Sequence, residues 1–99
     1  MKVLTIDVGG THVKLLASDE VEPRKFASDL ALTPGEMVAE VKRISADWNY
    51  EVISIGYPGL VMHGRIASEP RNLRRGWVGF DFAGAFGKQI CYLAIPHNA

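Results

Sequence analysis

A carboxylate, a hydroxyl and an ammonium group are gathered around two adjacent glycines near the start of the chain. The segment Asp7–Lys14 reads DVGGTHVK and lies between two apolar runs. Glycines permit positive φ and let backbone N–H groups approach a ligand closely. Amides in a concave turn donate to phosphate oxygens, Lys14 can add a positive charge, and Asp7 can hold Mg²⁺ through water. These residue types at this spacing indicate a phosphate and magnesium site.

A second interpretation of the same glycines remains open. Gly-Gly between two runs of β-forming residues is a common hairpin signal, and most such hairpins bind nothing. The segment is not a Walker A loop, because no Gly-Lys-Ser/Thr follows the glycines. It is not a dinucleotide-binding fingerprint either, because a strand rather than a helix is predicted after the turn.

The order Asp-x-Gly-Gly-Thr-x-x-Lys resembles the first phosphate motif of the ROK sugar kinases, which belong to the actin, hexokinase and Hsp70 ATPase superfamily. Two further blocks resemble the family in the same order, and the three together are more specific than any one of them. The further blocks are Ile55–Val61 with Gly64, and Asn72-Leu73 with Gly76-Trp77 and Gly79–Asp81. The residues and spacing of the three blocks are most similar to those of the polyphosphate/ATP glucokinase branch, and the resemblance extends to about Ile90.

The resemblance implies a kinase that transfers a phosphoryl group from ATP or polyphosphate to a hexose hydroxyl with the help of Mg²⁺. The residues that it implies at the donor are Gly9, Gly10, Thr11 and Lys14 for phosphate and Asp7 for the metal, through water. The residues that it implies around the sugar are Gly56, Pro58, Gly59 and Asn98. Residues 56–59 also suit an ordinary Pro-Gly turn, and the family context is what favours the pocket.

The last residues depart from the family pattern. The resemblance implies a catalytic aspartate in an Asn-Asp-Ala motif, whereas residues 95–99 read IPHNA. Either Asn98 stands where the aspartate is expected, or it keeps the Asn position and the chain diverges after it. An amide cannot act as a general base, and loss of such a base costs on the order of 10² to 10⁴ in rate. No catalytic residue is therefore assigned, and the chain, which also lacks the family's second lobe, is expected to be inactive alone.

The pattern of apolar residues predicts an α/β fold with the element order β-β-β-α-β-α-β. That order is the core of an RNase H-like lobe with a mixed five-stranded sheet, although an order of elements alone is weak evidence of function. The predicted sheet strands are Val3–Ile6, Val13–Ala17, Pro23–Ser28, Val52–Ile55 and Tyr92–Ile95. A small hairpin is predicted around His63-Gly64.

Two helices are predicted between the strands. Thr33, Pro34 and Glu36 form a helix start with a capping box. The apolar stripe that follows carries this helix to Trp48. Asp81 is predicted to cap a second helix, which runs to Ile90.

The composition limits the class of protein. The 99 residues fit one domain, residues 1–99, and the 11 basic and 11 acidic residues cancel, which argues against nucleic acid or a membrane surface as a partner. No run is apolar enough to span a bilayer, and the one cysteine fits a reducing, cytoplasmic compartment. Zinc is not expected, because His12, His63 and His97 have no ligand spacing and Cys91 has no cysteine partner.

Two other interpretations concern surfaces. Arg71, Arg74 and Arg75 form a basic cluster that could contact a long polyphosphate anion, or could simply be a solvated loop. Cys91 is interpreted as a core or interface residue and Trp77 as a packing residue. As an alternative to a kinase, the chain could be a non-catalytic binding or assembly module that self-associates through exposed apolar surface, so a homo-oligomer is expected.

Overall fold

The protein is a two-layer α/β structure with a mixed five-stranded sheet, as predicted. The computed structural model describes residues 1–29, 31–70 and 73–94. The strands are β1 (Val3–Val8), β2 (His12–Ala17), β3 (Arg24–Ala27), β4 (Val52–Tyr57), β5 (Val61–Met62), β6 (Arg65–Ile66) and β7 (Gln89–Ala94), and the helices are α1 (Pro34–Ile44) and α2 (Phe82–Phe86). The hairpin of β5 and β6 lies between β4 and α2 in the chain and forms a separate sheet.

The order of strands in the main sheet is β3-β2-β1-β4-β7. The first three strands are antiparallel neighbours, whereas β1, β4 and β7 run parallel to one another. The carboxyl ends of these three adjacent parallel strands therefore meet at one edge of the sheet. Ligands of open α/β sheets collect outside such strand ends.

One face of the sheet is buried and the other is open. Residues of β1 alternate, with Leu4, Ile6 and Val8 fully buried and Thr5 and Asp7 exposed. Both helices pack on the buried face, because their apolar residues belong to the same core cluster as the inward strand residues. Side chains of a strand alternate between faces, so Asp7 stands on the face opposite the helices.

Helix α1 begins as predicted and ends earlier. Thr33 is the N-cap, and its capping box with Glu36 is complete. The helix stops at Ile44 rather than reaching Trp48, because Arg24 on β3 donates to the Ile44 carbonyl (2.7 Å) and Ser45 caps the last turn. Trp48 is still buried, under the Arg24 guanidinium, which lies 4.1 Å from the ring centroid. Tertiary contacts therefore decide where the helix ends.

The short elements follow their local turn chemistry. His63 and Gly64 both have positive φ, the conformation of a two-residue hairpin turn, and they join β5 to β6. Asp81 caps α2 by accepting from the Gly84 amide (2.9 Å), and the left-handed Gly87 ends it. The prediction that α2 reaches Ile90 is wrong, because Ile90 belongs to β7. In the described parts of the chain, no helix has the length and apolarity needed to cross a membrane.

Candidate functional site

The glycine turn joins β1 to β2 at the edge where the parallel strands end. Gly10 and Thr11 form its tip and are exposed. The Gly9 amide donates to the His12 carbonyl (3.0 Å) and so closes the hairpin. Among the described residues, no acceptor is found for the amides of Gly10 and Thr11. Two adjacent N–H groups at an exposed tip are suited to bind an anion.

The reason for glycine at position 9 differs from the expectation. Positive φ occurs at Gly64, Gly76, Gly79 and Gly87 but not at Gly9, so left-handed backbone is not what this position requires. A Cβ built on Gly9 would lie 2.8 Å from the His12 carbonyl oxygen. The close approach of the two strands, and not the backbone angle, excludes a side chain there.

Ser28, which the sequence analysis did not single out as a site residue, holds the turn from the side of β3. Its hydroxyl donates to the Gly9 carbonyl (2.7 Å), and its amide donates to the Thr11 carbonyl (2.9 Å). The side chain is buried, with 7% of the residue exposed. A buried hydroxyl next to a glycine turn is not visible in the sequence, because the contact spans 19 residues.

The sheet register brings three predicted site residues into one row. Asp7 on β1 is paired with Lys14 on β2 and with Gly56 on β4. Residues paired across neighbouring strands project from the same face and are separated by about 4.8 Å per strand. Three predicted site residues are therefore neighbours on the open face: Asp7 for the metal, Lys14 for the phosphate and Gly56 for the sugar.

A second lysine extends this row and was also missed. Lys25 on β3 is paired with Lys14, and both are exposed. Like charges that are directly opposite each other destabilise a sheet. Two lysines placed side by side next to the turn instead create a local positive potential that favours an anion. The ten residues between them in the sequence hide this pair until the strand register is known.

The Pro-Gly loop follows β4 and is tied down by Ser68. The Tyr57 hydroxyl donates to the Ser68 carbonyl (2.6 Å), and the Ser68 hydroxyl accepts from the Leu60 amide (2.8 Å). A Cβ on Gly59 would meet the Tyr57 ring at 2.7 Å and Ser68 Oγ at 2.9 Å. Burial, with a smaller contribution from the charge of Glu69, raises the pKa of Tyr57, which therefore stays a neutral hydrogen-bond donor. Pro58 and Gly59 are half-buried at the edge where β4 ends.

Glu69 organises the next loop through backbone amides. Its carboxylate accepts from the amides of Gly76 (2.9 Å), Trp77 (2.9 Å) and Val78 (3.2 Å). Burial alone would raise the pKa of Glu69, but these hydrogen bonds outweigh it, and the pKa lies below its ordinary value. Trp77 is fully buried between Tyr57 and Phe82, in agreement with its predicted packing role.

Several sequence-predicted residues do not join the row. Asn98 lies outside the described residues, as do Arg71 and His97. Arg74 and Arg75 are exposed on the loop before Trp77. Of the two interpretations of Cys91, the core residue is wrong, because Cys91 is exposed on β7, and the interface residue stays a prediction.

The cleft of the protein lies away from the glycine turn, and the acidic side chains near the turn are too few to hold a metal ion directly. A cleft of about 580 Å³ between the β5–β6 hairpin and α2 is lined by Arg65, Trp77, Phe80, Asp81 and Tyr92 among others, and by none of the predicted site residues. Over the described ranges, no group of three or more His, Cys, Asp or Glu side chains is placed to hold a metal ion. Within the described ranges, the Asp7 carboxylate forms no ion pair or hydrogen bond. Its neighbour on β4, Gly56, has no side chain, so there is room beside Asp7 for a hydrated cation bound through water.

Comparison with known proteins gives fold relatives only. No protein-family model matches the chain, and no curated protein matches it significantly. Among solved structures, the chain is similar to the Lmo2764 protein of Listeria monocytogenes, a proposed N-acetylmannosamine kinase (TM-score 0.74, 21% identity, 95% of this chain and 35% of that one). It is also similar to a proposed sugar kinase from Cytophaga hutchinsonii (TM-score 0.71, 20% identity, 93% and 35%).

A third similar structure is the ROK hexokinase of Thermus thermophilus (TM-score 0.61, 19% identity, 95% of this chain and 35% of that one). The chain thus spans about a third of the length of the sugar kinases that it matches. At these identities the comparison concerns the fold: the protein has the fold of one part of the ROK-type sugar kinases.

Proposed function

We propose that the chain is the N-terminal lobe of a ROK-type sugar kinase and binds the donor phosphates, with the RNase H-like architecture of that superfamily and with motifs that resemble those of the polyphosphate/ATP glucokinases. The observation that supports this most directly is the exposed tip of the glycine turn. Its Gly10 and Thr11 amides have no acceptor within the described ranges, and they lie at the end of the strand that carries Asp7. The fold shared with sugar kinases supports the same proposal.

The proposed donor site uses backbone and side chains together. The amides of Gly10 and Thr11 donate to the terminal phosphates of ATP or polyphosphate, with Gly9 keeping the strands close enough to shape the tip. Lys14 adds a positive charge from the open face. Asp7 holds a hydrated Mg²⁺ through water, and that ion would neutralise charge on the phosphate oxygens.

The proposed acceptor site is the neighbouring loop after β4. Gly56, Pro58 and Gly59 lie at the same edge of the sheet, and Ser68 fixes the loop through two hydrogen bonds. A hexose hydroxyl placed there would be one strand away from Asp7. Asn98 is proposed as a sugar contact on the resemblance alone.

The 99-residue polypeptide is proposed to bind the donor without completing transfer. Asp7 and Lys14 stand on an open face of the sheet in contact with solvent. Phosphoryl transfer needs a site that positions both reactants and excludes water. Incubation with glucose, Mg²⁺ and ATP or polyphosphate is therefore expected to form no glucose 6-phosphate, and its formation would contradict this part of the proposal.

A titration tests the donor site. The ¹⁵N-labelled chain is titrated with tripolyphosphate and Mg²⁺, and the amide shifts are followed residue by residue. The expected result is a saturable shift of Gly10 and Thr11. The β5–β6 turn is the internal control, because His63 and Gly64 form another exposed glycine turn without a lysine pair beside it. Absent shifts, or equal shifts at both turns, would contradict phosphate binding.

One observation favours the second candidate function, a self-associating module. Strand β7 is at the edge of the sheet and reads QICYLA, without a charge. Leu93 on this strand is 61% exposed. Uncharged edge strands are prone to pair with another chain. Analytical ultracentrifugation tests this: association that is lost in Leu93→Lys supports it, and a monomer at high concentration contradicts it.

A further inference from the structure

We propose that Ser28 is a positioning residue for phosphate binding, because it fixes the glycine turn with the free Gly10 amide pointing outward. This inference rests on the proposed donor-binding function and adds to it a residue outside the turn. Ser28 follows β3 and contacts the turn at two carbonyls, those of Gly9 and Thr11. These two carbonyls flank Gly10, so the tip is held on both sides.

Because the peptide unit is planar, the two contacts of Ser28 with carbonyl groups also fix the direction of the N–H group of each following residue. In a trans peptide, the C=O of one residue and the N–H of the next point in opposite directions. The Gly9 carbonyl is directed to the Ser28 hydroxyl, so the Gly10 amide points away from Ser28. The Thr11 carbonyl is directed to the Ser28 amide, so the His12 amide also points away. Ser28 therefore sets the direction of the Gly10 amide, which is one of the two proposed phosphate donors, and of the neighbouring His12 amide.

The hydroxyl also takes the place of a bond that would close the turn. In a tight two-residue hairpin, the residues that flank the tip exchange hydrogen bonds in both directions. Here the Gly9 amide donates to His12, but over the described ranges the reverse bond from the His12 amide to the Gly9 carbonyl is not found. The Gly9 carbonyl accepts from Ser28 Oγ at 2.7 Å instead. One of the two hydrogen bonds that flank the tip is thereby replaced by a contact with Ser28, while the bond from the Gly9 amide to His12 is kept.

Burial makes this contact persistent. Ser28 is 7% exposed, so water competes little for the hydrogen bond from its hydroxyl to the Gly9 carbonyl. Leaving a buried acceptor without its donor is costly. The sheet contains a matched serine at its other end. Ser18 exchanges hydrogen bonds with the backbone of Val3, and it lies at the far end of the β1–β2 pair. Ser18→Ala is therefore the control, because it removes a serine hydroxyl that bonds to a strand backbone far from the turn.

The test compares Ser28→Ala, Ser28→Thr and Ser18→Ala with the unmodified 99-residue chain. The Kd for Mg²⁺-tripolyphosphate is taken from the Gly10 and Thr11 shifts, and the unfolding free energy is measured by urea titration. The expected result is a Kd about fivefold weaker in Ser28→Ala, equivalent to about 1 kcal/mol for one hydrogen bond. Ser28→Thr, which retains the hydroxyl, is expected to bind like the unmodified chain. Ser18→Ala is expected to lose stability while its Kd does not change.

The outcomes separate this inference from the proposed function. If the unmodified chain shows no shift at the turn, phosphate binding itself is contradicted. If it binds and Ser28→Ala binds equally well, only the role of Ser28 is overturned. If Ser18→Ala weakens binding as much as Ser28→Ala, general loss of stability explains the effect and the positioning role is also overturned. If Ser28→Ala does not fold, Ser28→Cys is tested in its place. Its Kd is compared with that of the unmodified chain at the same urea concentration, by the same criterion.

Discussion

Asp7 and Lys14 are direct partners in the antiparallel pair of β1 and β2, and both are exposed on the open face of the sheet. Their opposite charges would suit a cross-strand ion pair. Within the described ranges, however, the ion pairs are Lys2 with Asp19, Arg24 with Asp47 and Arg43 with Glu40. Neither Asp7 nor Lys14 is engaged there, so each remains open to a ligand.

Replacement of Asp7 tests whether this carboxylate serves a ligand or the fold. Asp7→Asn is expected to abolish the Mg²⁺-dependent part of tripolyphosphate binding, because an amide is a poor ligand for a hydrated Mg²⁺. The free energy of unfolding is expected to change by less than about 0.5 kcal/mol, since the side chain is exposed. Asp19→Asn, the same change at another exposed position, is the control. Aggregation or a large loss of stability in Asp7→Asn would instead indicate a structural role.

The close approach at Gly9 predicts a cost for any side chain. Gly9→Ala is expected to destabilise the protein by about 1 to 3 kcal/mol in urea titrations, because the new Cβ would lie 2.8 Å from a backbone oxygen that cannot move independently. Gly35→Ala is the matched control. No atom lies within 4 Å of a Cβ there, and alanine is the better helix former, so a gain of about 0.5 to 1 kcal/mol is expected. Equal stability of the two variants would show that the turn is not tight at Gly9.

The lysine pair predicts opposite effects on binding and stability. Lys25→Glu turns a like-charge pair with Lys14 into an attractive pair, so a gain in stability of about 0.2 to 1 kcal/mol is expected. The same change places a negative charge beside the turn, so the Kd for tripolyphosphate is expected to weaken by about fivefold or more at low salt. Lys42→Glu on α1, on the other face of the sheet, gives the same change in net charge. If both variants weaken binding equally, net charge and not position is responsible.

The hydrogen bonds of Glu69 predict a dependence of stability on pH. Because the pKa of Glu69 is lower in the folded state, its contribution is fully present above the ordinary pKa of about 4.3. That contribution is lost as the pH falls through the lower, folded-state pKa. The stability difference between the unmodified chain and Glu69→Gln is therefore expected to shrink between pH 5 and pH 3. The reference is Glu22→Gln at an exposed position, and a difference that is constant with pH would contradict the role of the three amide bonds.

Local sequence signals predicted those elements whose stabilising contacts are also local. The capping box of Thr33 and Glu36 joins residues three apart, and it marks the start of α1 correctly. The two-residue turn at His63-Gly64 and the Asp81 cap depend on equally short contacts. The mixed sheet followed from the alternation of apolar residues in β1 and the order of the elements.

Features that depend on distant contacts were not predictable in the same way. The end of α1 is decided by Arg24, which is 20 residues away in the chain. The support of the turn by Ser28 joins residues 19 apart in the chain, and the pairing of Lys14 with Lys25 needs the strand register. A one-residue change of register would move every side chain of a strand to the other face.

The sequence by itself determined that a carboxylate, two glycines, a hydroxyl and a lysine occur together at a chain reversal, because all of them lie within eight residues of one another, Asp7–Lys14. Only the tertiary structure decided which of these groups are free to meet a ligand. The hydrogen bond from Ser28, which follows β3, directs the Gly10 amide outward, and the parallel pairing of β1 with β4 places Gly56 next to Asp7. Those contacts join residues that are far apart in the chain, and folding alone brings them together.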